Sequence, residues 1–196
     1  MIRASFLLPL LLGTLAVSAA QEVEVASVRF ANVRAPNGAN GSWLETEVAL
    51  NVHPAANLPG QMVGRVRVAL LLGFELPAVA GGERRLEHYR AEAECVALEP
   101  GRAVVRFYLP PELVKRDQLH GDPKYWGVEL TAAGRALPAG KAAYASALPG
   151  AEQRKNFQTR ANASAAPNDG VLLPQYLTPF SREYPRATPS FVRRDR

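Results

Sequence analysis

Two stretches, WLETEVALNV (43–52) and RVRVALLLGFEL (65–76), alternate apolar and polar side chains with a period of two. In the first, Leu44, Thr46, Val48, Leu50 and Val52 share one face, and Glu45, Glu47 and Asn51 share the other. In the second, Val66, Val68, Leu70, Leu72, Phe74 and Leu76 lie opposite Arg65, Arg67 and Glu75. A pleated strand turns such a pattern into one dry face and one wet face, whereas a helix would scatter it around its surface. EVEVASVRF (22–30) begins with Val23 and Val25 in phase and resumes with Val28 and Phe30 out of phase, which predicts a bulge at Ala26 or Ser27. LEHYRAEAECVAL (86–98) and RAVVRFYL (102–109) are separated by Glu99, Pro100 and Gly101, a turn-sized gap that reads as a hairpin with Gly101 at positive φ. KYWGVELTAA (124–133) places Trp126, Val128, Leu130 and Ala132 in one phase, Trp126 reading as core, and KAAYASAL (141–148) is the candidate closing strand.

Seven short strands with one inner face each, and no long amphipathic helix to cover a parallel sheet, predict an all-β, two-sheet sandwich over residues 21–148. Two helices are expected beside it. PPELVKRDQL (110–119) has Pro111 in its first turn, Glu112 at the positive end and Lys115 and Arg116 toward the negative end, as a short helix crossing between sheets requires. Residues 149–165 can form a surface helix with Phe157 as its main apolar contact. Beyond it, residues 166–196 carry prolines at 167, 174, 179, 185 and 189, which exclude regular structure longer than a few residues.

That tail nevertheless contains GVLLPQYLTPF (170–180), and a solvated linker is normally poor in large apolar side chains. Leu172, Leu173, Tyr176, Leu177 and Phe180 are therefore expected to dock as an extended strip through 171–180. The receiving surface is the groove of the chain's own sandwich, a sheet edge, or a partner. Pro174 and Pro179 lower the entropy lost on ordering such a strip.

Residues 1–20 have a single basic residue, Arg3, then the apolar run FLLPLLLGTLAV and the small residues VSAA, the composition of a cleavable export signal. The run is too short to span a bilayer stably, so no transmembrane anchor is expected, and the address is periplasm or cell surface. Cys95 is the one cysteine, which excludes an internal disulfide, and its place in an alternating run reads as a buried thiol. Charge separates the chain into two parts. Residues 21–150 carry fourteen basic and fourteen acidic side chains, so the positive excess of the mature chain lies after residue 150. A basic face for nucleic acid is therefore not expected on the folded part.

The search for chemistry returns no catalytic constellation. His53, His88 and His120 have no ligand spacing, and neither a phosphate loop nor a nucleophile elbow is present, so no metal, cofactor or enzymatic activity is expected. Glu45 with Glu47, and Glu92 with Glu94, share strand faces, but Arg65, Arg67, Arg102 and Arg106 make cross-strand ion pairs on a solvated surface the simpler account. Trp43, Tyr108, Tyr125 and Trp126 could stack against a glycan if three of them met on an exposed face. This motivates a carbohydrate-binding alternative.

Taken together, GSWLETEVALNV, VRVALLLGFEL, YRAEAECVALEPGRAVVRFYLPPELVKRD, YWGVELT and PNDGVLLPQYLTPF resemble a small exported pilus-like protein family of verrucomicrobial bacteria, encoded beside type IV pilus components. The resemblance spans most of residues 23–180 and is most specific over 105–117 and 172–180. It implies an immunoglobulin-like sandwich, a role at a pilus or in its assembly, and pilus or envelope proteins as partners. A periplasmic chaperone for pilus subunits would share that fold. The short, cleavable apolar segment departs from a true type IV pilin, whose long N-terminal helix stays in the fibre.

Overall fold

The computed structural model describes residues 22–36, 38, 41–53, 61–78, 84–119, 121–183 and 187–193. The export signal expected over 1–20, and His120, lie outside the described residues. Two four-stranded antiparallel sheets form a β-sandwich, with strand orders β1-β2-β5-β8 and β4-β3-β6-β7. The strands are β1 (Val23–Arg34), β2 (Ser42–Val52), β3 (Val63–Leu76), β4 (Arg85–Leu98), β5 (Gly101–Leu109), β6 (Tyr125–Ala132), β7 (Arg135–Ala136) and β8 (Leu173–Pro174).

Every inner-face residue named for 43–52 and 65–76 is buried, Thr46 included. Across the interface Val105, Phe107 and Leu109 of β5 and Val128 and Leu130 of β6 complete one continuous core. The bulge falls as predicted, since the β1–β2 register shifts between Val25 and Ser27. Trp126 is half-buried at the edge of the core and meets Phe30 at 6.1 Å.

Two elements differ from the sequence reading. β4 and β5 are not a hairpin: β4 pairs with β3 and β5 with β2, so Glu99 and Pro100 carry the chain from one sheet to the other. Gly101 does adopt a positive φ of 113°, but it serves an arch between sheets. Local turn chemistry cannot distinguish these outcomes, because both need a tight reversal and only tertiary pairing selects between them. KAAYASAL forms no strand. A short 3-10 turn at Lys141–Ala143 precedes a single bridge from Tyr144 to Gly127, and the two-residue β7 occupies the edge beside β6 instead.

Helix α1 (Pro111–Arg116) connects the two sheets, with Pro111 and Glu112 in its first turn and Leu113 and Val114 buried. Helix α2 (Ala151–Ser164) lies on the outer face of the β4-β3-β6 sheet. Gly73 of β3 and Gly127 of β6 make the hollow that receives it. A Cβ on Gly73 would stand 3.2 Å from the Phe157 ring, and one on Gly127 would stand 3.0 Å from the Tyr144 ring. Phe157 is consequently 6% exposed although it belongs to an otherwise polar helix.

Candidate functional site

Because β4 and β5 enter opposite sheets, their outer edges lie side by side on one flank of the sandwich. Unpaired strand edges invite association with foreign chains. The C-terminal segment covers both. Leu173 and Pro174 pair with Tyr108 and Phe107. The Val104 amide donates to the Ala187 carbonyl at 2.8 Å. The segment then reaches the other sheet, where the Val96 amide donates to the Ser190 carbonyl and the Val192 amide to the Glu94 carbonyl, both at 2.8 Å. One strap thus spans the edges of both sheets.

The five residues of the anticipated strip meet different fates. Leu172 is 1% exposed and belongs to the main core. Phe180, 3% exposed, lies flat on Tyr108 with ring centroids 4.3 Å apart, and Trp43 meets it edge-on at 5.7 Å. Leu173 is half-buried, and half-buried Tyr176 packs toward Phe191 at 5.5 Å. Leu177 faces solvent at 46% exposure. The strip is not extended, as the sequence suggested, but bends into 3-10 turns at Gln175–Leu177 and Pro179–Arg182. Its own side chains impose this. Pro179 presets φ for the second turn, the Thr178 hydroxyl accepts from the Phe180 amide, and buried Gln175 donates to the Phe180 carbonyl at 3.2 Å.

Beneath the strap lies a polar network on the outer face of β2 and β5. Arg106 donates to Glu47 at 2.9 Å and to the Thr188 hydroxyl at 3.1 Å, and Tyr108 donates to Glu45 at 2.7 Å. Burial, followed by the hydrogen bond to Glu45, raises the Tyr108 pKa far above its ordinary value, so the phenol stays protonated. The cross-strand pairs foreseen for Glu45 and Glu47 are present, but around Arg106 they are not solvated, since the strap leaves that residue 8% exposed. Arg65–Glu94 and Arg67–Glu92 pair at the surface as expected.

A second network stands at the α1 end, with Tyr89 and Asp117 buried and Arg116 exposed. Tyr89 donates to Asp117 at 2.8 Å, and the Arg116 guanidinium binds both oxygens of the same carboxylate at 2.7 Å. The Arg116 hydrogen bonds, opposed in part by desolvation, hold the Asp117 pKa below its usual value.

The remaining candidate residues do not converge. Trp43 and Tyr108 meet, but Phe180 roofs Tyr108, while Tyr125 and Trp126 sit on the other sheet pointing to opposite faces. Burial pushes the Cys95 thiol up to about 12, which disarms it as a nucleophile. His53 is exposed and 3.5 Å from Glu24, whereas His88 is buried under α2. No group of three or more potential metal ligands occurs among the described residues. No described helix is long and apolar enough to cross a membrane.

The class these features define is a two-layer antiparallel β-sandwich with its β4–β5 flank strapped by the C-terminal segment. A crystal structure of a protein from the verrucomicrobium Akkermansia muciniphila shares this fold at a TM-score of 0.68 and 17% sequence identity, the match covering 91% of this chain and 100% of that one. No family model matches the sequence. No curated protein matches it either.

Proposed function

We propose that this protein is an exported, non-enzymatic module that acts at a type IV pilus, or in its assembly, by binding another protein. The observation that carries the reading is the contrast between the two sides of its first sheet. The chain covers the edge of β5 with its own strap, whereas β1, twelve residues long, has β2 as its single strand neighbour among the described residues. Such an edge can take an added strand from a partner, with main-chain hydrogen bonds providing affinity and alternate side chains providing specificity. Arg29, Ala31 and Asn32 are exposed along it. The sequence resemblance to exported pilus-like proteins and the fold shared with a verrucomicrobial protein support the same reading. A chaperone for pilus subunits would use the same edge transiently.

The test is photo-crosslinking in intact cells from a probe placed at Ala31, with a probe at exposed Glu152 of α2 as control. Adducts with a pilus or envelope protein from Ala31 alone support the proposal. Recovery of enzymes alone, or identical adducts from both positions, refutes it.

A further inference from the structure

A second surface is built for a different task. Between β4, β6, the 147–148 connection and α2 lies a cavity of about 320 Å³, lined by Leu86, His88, Tyr125, Leu148, Asn156, Phe157 and Arg160 among others. That volume lies at the small end of the range for sites that hold small molecules.

His88 marks it as more than a packing gap. The residue is 5% exposed, and neither ring nitrogen has a hydrogen-bond partner. Buried polar atoms in folded proteins are almost always paired, so an imidazole with both nitrogens unsatisfied calls for an explanation. Burial lowers its pKa, which leaves a neutral ring offering one donor and one acceptor. Its Phe157 neighbour is 6.1 Å away, ring to ring. Both nitrogens are covered, so a ligand oxygen reaches one only as the α2 side chains above make room.

Among the residues lining the cavity the one charged side chain is Arg160. Arg160 has no ion-pair partner among the described residues, and no carboxylate lines the walls. Glu87 neighbours His88 in sequence, but it points to the opposite face of β4, where Arg85 at 2.8 Å and Asn168 at 3.1 Å engage it. Asn156 adds an amide at the mouth, and Tyr125 and Phe157 add ring surface. An unpaired guanidinium beside amide donors and aromatic walls suits a planar oxyanion attached to a compact body.

We propose that this cavity binds a small carboxylate, of about the size of an acidic monosaccharide, with Arg160 holding the carboxylate and His88 hydrogen-bonding the body of the ligand. This inference is independent of the proposed pilus role, because it uses the face of the sandwich opposite the β1–β2–β5 sheet.

The experiment is an amide and side-chain NMR titration of the full mature chain with glucuronate, with benzoate as a non-sugar carboxylate and glucose as the neutral sugar. Saturable shifts confined to His88, Tyr125, Asn156, Phe157 and Arg160 are expected with a carboxylate, and which of the two carboxylates binds tells a sugar acid from an aromatic acid. Arg160→Gln, a change at an exposed position that leaves the core intact, is expected to weaken binding about tenfold or more. His88→Gln, which keeps a donor and an acceptor, is expected to bind more tightly than His88→Leu. Absence of saturable shifts with either carboxylate, equal binding of glucose, or an Arg160→Gln variant that binds as the parent does would each overturn the proposal.

Discussion

Replacing Phe180 by Ala separates a docked strap from a passive one. The ring is 3% exposed, stacked on Tyr108 at 4.3 Å and met edge-on by Trp43. Truncation of a buried Phe in a closed core costs about 3–5 kcal/mol, and aromatic pairing adds roughly 0.5–1.5 kcal/mol to area burial alone. A strap has an alternative that a core strand lacks, because it can leave the surface while the sandwich stays folded. The measured loss is therefore capped by the net docking free energy of the strap. We expect about 3 kcal/mol, which for a domain of this size lowers Tm by about 6–12 °C. Limited proteolysis should then cut within 170–193 before the sandwich unfolds. Leu177→Ala, at an exposed position of the preceding 3-10 turn, should change stability by less than about 0.5 kcal/mol. A Phe180→Ala variant with the parent's Tm and the parent's digestion pattern would refute the docking argument.

Three further outcomes are expected. Asp117→Asn should cost about 1–3 kcal/mol at neutral pH in a urea titration, because it weakens the acceptor shared by Tyr89 and Arg116. The Asp117 pKa is depressed on folding, so its contribution is fully present above the unfolded value of about 3.9 and is lost as pH falls through the lower folded value; the variant and the parent should converge in that acidic window. Gly127→Val should destabilise by about 1–3 kcal/mol, read as a fall in Tm, since a Cβ alone would already stand 3.0 Å from the Tyr144 ring. Removing residues 187–193 should expose the β4 edge and raise concentration-dependent association in sedimentation, because the hydrogen bonds at Val96 and Val192 are then lost.

Legibility in the sequence followed the range of the interactions involved. Strand faces such as Val66 to Leu76 were readable because burial imprints a period of two on neighbouring residues. The β1 bulge was readable for the same reason, as a break in phase. The β4–β5 arch was not, because Glu99, Pro100 and Gly101 suit a hairpin equally well and the deciding hydrogen bonds come from β2 and β3. Docking residues in the tail announced themselves by apolar density, yet their bent geometry depends on Gln175 and Thr178, polar residues that no hydrophobic pattern singles out. The His88 cavity left no local signal. Its histidine sits at an outer-face position that would be solvated but for α2, and α2 approaches only because Gly73 and Gly127, distant in sequence, leave a hollow.

The arch and the strap are one solution to one problem. A hairpin between β4 and β5 would have paired their facing edges in a single sheet; sending them to opposite sheets creates two open edges at the same flank. Arg106 and Tyr108 on β5 then need cover that no neighbouring strand supplies, and the segment bringing Thr188 and Phe180 satisfies both, one by a hydrogen bond and the other by stacking. The prolines fit that role, since a strap crossing from one sheet to the other must change direction repeatedly and cannot run as a regular strand. The described basic residues of the strap, Arg182 and Arg193, are exposed, while Arg106 beneath it is held by Glu47. On the far side of the same sheet β1 has β2 as its single strand neighbour among the described residues, with the 3-10 turn Lys141–Ala143 packed against part of it, and that asymmetry, more than any cluster of reactive groups, is the basis of the proposed partner-binding edge.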